Sequence, residues 1–273
     1  MAATGLVSNT LSDMITAISS GTLVFNDGKI YYETVGSGEP IVFVHGFTLD
    51  HTMWQPQVEF FSKDYQVITY DARGFGRSSL PDSPYGHAAD LRALFEHLGI
   101  EQAHLVGLSM GGRIATNFAL AYPNTVKSLV LMDSALDGYK SEVDWNVHAE
   151  EQGREKAKEN WLNHEVFAMT KKRLEVVAAL SAIVEGYSGW HWLHHDPQTP
   201  TNTYARDHLH EITKPTLIVV GEGDLPYFHN IANVLAAEIR GAKKVIVPNT
   251  GHMVNMEAPN EINNLLADFI ARP

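Results

Sequence analysis

HLVGLSMGG, residues 104–112, joins an apolar run of strand length to an amphipathic run of helix length through glycines and a single serine. The apolar run is His104–Leu108, and the helical pattern extends over Met110–Tyr122. Within the junction, Gly107-Leu108-Ser109-Met110-Gly111 fits G-x-S-x-G, and Gly112 follows. A turn that sends a strand directly into a helix leaves room only for small residues two positions either side of its apex. It holds the apex serine in strained backbone geometry and exposes the hydroxyl at the carboxyl end of the strand. The helix starting at Met110 points its positive end at that hydroxyl.

The same alternation continues on both sides. Pro40–His45, Tyr65–Tyr70, Lys127–Met132, Thr216–Val220 and Lys244–Val247 are further apolar runs of strand length. Leu23–Phe25 and Lys29–Val35 flank Asp27-Gly28, a hairpin turn signal. Runs that are apolar on both faces predict parallel strands covered by helices. Ala88–Leu98, Ile231–Ile239 and Glu257–Ala271 carry helical periodicity; the last aligns Ile262, Leu265, Leu266 and Phe269. Alternating strands and helices predict an α/β fold with a mostly parallel central sheet. Leu136 to about His208 breaks the rhythm: it holds no convincing strand and four of the five tryptophans. Its helical stretches near Glu150–Asn163 and Lys172–Tyr187 predict an insertion over one end of the sheet. The expected organisation is an N-terminal extension over 1–20, a core over 21–136 and 209–273, and a helical cap over 137–208.

A serine hydroxyl is a weak nucleophile at neutral pH and needs a general base, which in turn needs an orienting acid. Two later strands end in suitable residues. Thr216–Val220 leads into Gly221-Glu222-Gly223-Asp224, and Lys244–Val247 leads into Asn249-Thr250-Gly251-His252. Ser109, Asp224 and His252 are therefore the expected nucleophile, orienting acid and base. Asp133, just past Lys127–Met132, is a competing acid. Glu222 reads as a loop-bracing residue.

These residues resemble the α/β-hydrolase superfamily, in its small-cap serine esterase and lactonase branch. The resemblance runs from Leu23 to Ile270. Besides the serine turn it rests on His45-Gly46-Phe47, on Asp71-Ala72-Arg73-Gly74-Phe75-Gly76-Arg77-Ser78, on Gly221-Glu222-Gly223-Asp224 and on Gly251-His252. Enol-lactone hydrolases, cofactor-free haloperoxidase-type esterases and acyl-homoserine lactonases share these segments. The resemblance implies an α/β-hydrolase fold with a small helical cap, and an oxyanion hole built from the backbone N–H groups of Phe47 and Met110. It assigns His45, Asp71 and Arg73 to loop architecture. The stretch from Tyr85 to Asp90 is about one helical turn shorter than in such enzymes, so one pocket wall should differ. Cap aromatics Tyr139, Trp145, Tyr187, Trp190 and Trp192 are the expected pocket lining, favouring an apolar acyl chain.

Composition narrows the alternatives. The chain has 273 residues, a net charge of −12 and no cysteine. Thiolate chemistry and disulfides are excluded, and net acidity argues against nucleic acid and anionic membranes as partners. No apolar run approaches the roughly 18 residues of a spanning helix, and residues 1–20 carry no basic signal segment, so a cytoplasmic protein is expected. The cluster His191-Trp192-Leu193-His194-His195-Asp196 fits no metal motif. The expectation is a metal-free, cofactor-free serine hydrolase acting on a small-molecule ester or lactone, with an N-acyl homoserine lactone as a plausible substrate. C–C bond hydrolysis or cofactor-free haloperoxidase or perhydrolase chemistry could use the same triad. A hydrolase-fold small-molecule receptor is the alternative from another class.

Overall fold

The structure, a computed structural model, describes residues 18–199 and 205–271. Eight strands form one sheet: β1 Ser19–Phe25, β2 Gly28–Val35, β3 Glu39–Val44, β4 Tyr65–Tyr70, β5 Ala103–Leu108, β6 Val126–Met132, β7 Thr216–Gly221 and β8 Lys243–Val247. Their order is β1-β2-β4-β3-β5-β6-β7-β8. The pairs β1–β2 and β2–β4 are antiparallel, and every other pair is parallel. Helices on both faces bury β5 and β7 along their whole lengths. That burial is why their sequences are apolar without alternation.

Within a strand, successive side chains serve opposite faces. Val42 and Val44 of β3 join a cluster with Leu91 and Phe95 of helix α1 (His87–Leu98) and Ile114 and Phe118 of helix α2 (Met110–Ala121). Ile41 and Phe43 join Trp54 and Phe61 on the opposite face, with Ile262 and Leu266 from the helix Pro259–Ile270. Each such side chain contributes about 1.5–3 kcal/mol on full burial. The Phe43 and Trp54 rings lie 4.9 Å apart.

From β3 the chain goes through β4 on one side and returns to β5 on the other. The strand order therefore reverses between β3 and β5, and such a switch point opens a crevice outside the carboxyl ends of the strands. The loop after β3 and the turn at Ser109 both lie there.

Several element boundaries differ from expectation. β1 begins at Ser19 and pairs with β2, so the last two residues of the expected 1–20 extension belong to the sheet; residues 1–17 lie outside the described residues. Pro226 and Pro259 each open a helix, at Pro226–Glu238 and Pro259–Ile270, because proline suits the first turn, where its missing N–H costs nothing. Between Met132 and Thr216 the described chain is helical or irregular, apart from one bridge residue, Gln198. The expected helix near Glu150–Asn163 is cut at Gly153, whose φ of 82° no helix accommodates. Tyr85 bridges to Gln198 and donates to Asp196 at 3.2 Å, which ties the inserted segment to the start of the 85–90 stretch. Among the described residues, no helix is long and apolar enough to cross a membrane.

Candidate active site

Ser109 sits at φ 56° and ψ −117°, a conformation that side-chain-bearing residues avoid. The surroundings hold it there. Its N–H donates to the Met132 carbonyl at 2.9 Å, and its carbonyl accepts from Gly112 at 3.0 Å and Ala135 at 3.1 Å. A Cβ on Gly107 would run into the Gly111 carbonyl, and one on Gly111 into the carbonyls of Val44 and His45. Gly111→Ala is therefore expected to lower stability by roughly 1–3 kcal/mol or more, measured by denaturant midpoint. Gly86→Ala is the control, since no atom lies within 4 Å of the added methyl. Equal midpoints for the two variants would refute this account of the turn.

His252 and Asp224, the expected base and acid, follow the ends of β8 and β7. His252 Nδ1 lies 2.9 Å from Asp224 Oδ2, and both side chains are buried. The other Asp224 oxygen accepts the Leu225 N–H at 2.7 Å. The loop carrying His252 is pinned from below: buried Glu257 accepts the Gly251 N–H at 2.6 Å and the Thr170 hydroxyl at 2.5 Å. Glu222 accepts the Asn249 N–H at 3.0 Å, the bracing role its position suggested.

Asp133 stands beside this pair. One of its oxygens accepts the Gly221 N–H at 2.8 Å, and the other has no hydrogen-bond partner among the described residues. Its side chain, Asp224 and His252 place ligand atoms within 4.8 Å of one another. Burial, and then the neighbouring Asp224 charge, push the Asp133 carboxyl well above the usual carboxylate range. A protonated Asp133 presents Asp224 with a hydrogen-bond donor instead of a second negative charge. The imidazole is bonded to Asp224, not to Asp133.

The loop after β3 supplies the other wall. Phe47 N–H donates to no acceptor among the described residues, and Met110 N–H, first in α2, has no partner within its helix. The backbone of Phe47 is set by neighbours. Thr48 adopts φ 64°, and its hydroxyl donates to the Phe47 carbonyl at 2.6 Å and accepts from Trp161 Nε1 at 2.7 Å. His45 Nε2 accepts the Ala72 N–H at 2.9 Å, which leaves Nδ1 to donate to the Gly46 carbonyl at 2.8 Å. Burial pushes His45 down, keeping it neutral in this brace. Asp71 accepts the backbone N–H groups of His51 and Arg77, and Arg73 forks onto Asp90 at 2.8 and 2.9 Å. All three residues serve loop architecture.

Ser109, Met110, Phe47 and His252 line one cavity of about 380 Å³. No hydrogen bond joins Ser109 to His252 in this structure; such contacts commonly tighten when substrate binds. Of the five cap aromatics, Trp145 and Trp192 line this cavity. Tyr139, Tyr187 and Trp190 do not. Tyr139 faces a neighbouring cavity of about 510 Å³. Tyr187 lies behind Phe47, stacked on Phe75 at 5.6 Å, and Trp190 stacks outward on His194 at 5.1 Å. Their places are taken by Trp161, Phe167, Tyr227 and Phe228. Trp161 had a readable signal: Ala157 and Trp161, four apart, are the apolar stripe of an otherwise charged helix.

Two groups of residues among those described have spacing that could hold a metal ion: Asp133, Asp224 and His252, and Asp50, His51 and Asp71. In each, a histidine nitrogen sits within 2.9 Å of a carboxylate oxygen, so hydrogen bonding accounts for the geometry. The 191–196 cluster is not one of these groups. His191 stacks on Phe75 at 4.4 Å, and burial pushes it down to about 4.

Known proteins share this fold. The sequence profile of the alpha/beta hydrolase fold matches residues 39–259. A Synechocystis protein provisionally named a non-heme chloroperoxidase is 33% identical over 268 residues, covering 88% of this chain and 94% of its own. The structure of Est816, described as an N-acyl homoserine lactone degrading enzyme, superposes with a TM-score of 0.77 at 28% identity, covering 91% of this chain and 100% of that one. The enol-lactonase from Burkholderia xenovorans LB400 gives a TM-score of 0.77 at 25% identity, covering 92% and 100%. The profile match, the sheet order and the strained serine turn agree: the chain belongs to the α/β-hydrolase family and is a hydrolase.

Proposed function

We propose that the protein is a serine hydrolase that cleaves carboxylic esters or lactones through an acyl-enzyme. The observation that carries this reading is the His252–Asp224 hydrogen bond of 2.9 Å, beside a cavity that Ser109 also lines. Ser109 attacks the substrate carbonyl while His252 takes its proton. The N–H groups of Phe47 and Met110 receive the oxyanion. His252 returns the proton to the leaving alcohol, then activates the water that frees the acid. Asp224 holds the imidazole tautomer and stabilises the imidazolium.

The substrate is a small molecule with an apolar portion of medium length, matching a cavity of about 380 Å³ walled by Trp145, Trp161 and Trp192 from the segment 137–208, read here as a cap. Similarity to Est816 and to the enol-lactonase supports a lactone among the substrates, with N-acyl homoserine lactones the first to try. The name of the Synechocystis relative favours a second reading, in which hydrogen peroxide replaces water in the last step.

The test is hydrolysis of a C4 aryl ester beside a medium-chain N-acyl homoserine lactone, with Ser109→Ala as control and a chelator in parallel. Turnover of either substrate, dependent on Ser109 and indifferent to chelator, is the expected result. Chelator inactivation reversed by added zinc would sink the metal-free mechanism. A single event per molecule, in place of repeated turnover at roughly 1–1000 per second, would indicate a receptor.

A further inference from the structure

Arg113 is the one permanently charged side chain among the described residues that line the Ser109 cavity; no aspartate or glutamate lines it. Residues four apart on a helix share a face, and helical side chains lean toward the helix N-terminus. Arg113 follows Ser109 by four, its N–H donating to the Ser109 carbonyl at 3.2 Å, so its side chain leans back toward the nucleophile. The guanidinium is only loosely engaged. Its single hydrogen bond among the described residues runs to Asp137 Oδ1 at 3.4 Å, while Asn117 holds the other Asp137 oxygen at 2.6 Å. The side chain is 31% exposed, and most of its five donors are left for another acceptor. An apolar chamber with one such cation is matched by a substrate with one anion, and arginine's planar fork fits a carboxylate.

We infer that the preferred ester or lactone carries a carboxylate within a few bonds of the scissile carbonyl, bound by Arg113. This rests on the serine-hydrolase reading and names its substrate class. A net charge of −12 repels anions at long range, so a local cation is needed to make an anionic substrate the better one.

Two matched pairs test it: mono-(4-nitrophenyl) glutarate against 4-nitrophenyl pentanoate, with the charge in the acyl half, and 4-acetoxybenzoate against phenyl acetate, with the charge in the leaving group. In at least one pair the charged member should have the higher kcat/KM. Arg113→Gln should cut that charged-to-neutral ratio roughly 10- to 100-fold, the range for hydrogen bonds to a charged group. The loss should fall mainly on KM, and Arg113→Lys should restore part of the ratio. A measurement on the unaltered protein stands beside these: glutarate should inhibit neutral-ester turnover better than glutaramide, and less so as salt rises. Ser109-dependent turnover of the neutral esters, with no charged preference in either pair and no stronger inhibition by glutarate, overturns the inference and leaves the hydrolase reading standing. Absence of Ser109-dependent turnover from all four esters and from the N-acyl homoserine lactone overturns both.

Discussion

Ser109→Ala is expected to lower kcat for the best ester or lactone substrate by at least roughly ten-thousand-fold and up to about a million-fold, the range seen when a triad nucleophile is removed. The change deletes one hydroxyl that makes no hydrogen bond to protein among the described residues. The backbone contacts that hold residue 109 at φ 56° come from Met132, Gly112 and Ala135, and alanine keeps them all. The unfolding midpoint should therefore stay within about 0.5 kcal/mol of the parent, as for substitutions without a structural mechanism. Activity loss without stability loss separates a nucleophile from a structural serine. Residual catalysis above water remains, because the Phe47 and Met110 N–H groups are backbone and survive the change. A variant retaining a tenth of the activity would show that the reaction does not pass through Ser109.

The central strands were legible because they are covered on both faces. An apolar run such as Thr216–Val220 has no exposed side and carries no competing helical period. The candidate site was legible as far as Ser109, Asp224 and His252 stand just past strand ends, where such chemistry would place its residues. The cavity wall was not. Tyr187 and Trp190 lie in the same short stretch as Trp192, yet only Trp192 faces the cavity. Helices of four residues, such as Trp190–Leu193, have too little period to tell an inward aromatic from an outward one. Tyr227 and Phe228 were obscured differently. The helical pattern begins at Ile231, but Pro226 starts the helix five residues earlier and brings both residues to the cavity, with the Phe228 centroid 4.2 Å from the imidazole. Arg113 carries a signal that spacing alone provides, since it shares a helix face with Ser109.

Asp224→Asn is expected to lower kcat by roughly ten-thousand-fold, because an amide that donates toward Nδ1 favours the wrong imidazole tautomer and cannot stabilise the imidazolium. Asp133→Asn should do far less. The two aspartates end adjacent strands, β6 and β7, and either could serve a histidine by chain position. The structure bonds His252 Nδ1 to Asp224 at 2.9 Å and turns Asp133 to the Gly221 N–H at 2.8 Å. Burial and Asp224 push the Asp133 carboxyl well up, toward the neutral donor–acceptor form whose shape asparagine shares. Its carbonyl can keep the Gly221 bond while its amide faces Asp224, so Asp133→Asn should retain kcat within about tenfold. Asp133→Ala is different: it leaves the Gly221 N–H without its side-chain acceptor and should cost about 1–3 kcal/mol of stability. Steady-state rates of the two asparagine variants, beside the alanine variant's denaturant midpoint, decide the matter. Were Asp133→Asn the one to lose four orders of magnitude while Asp224→Asn stayed active, the acid of the triad would be Asp133, and His252 would have to turn away from Asp224 during turnover.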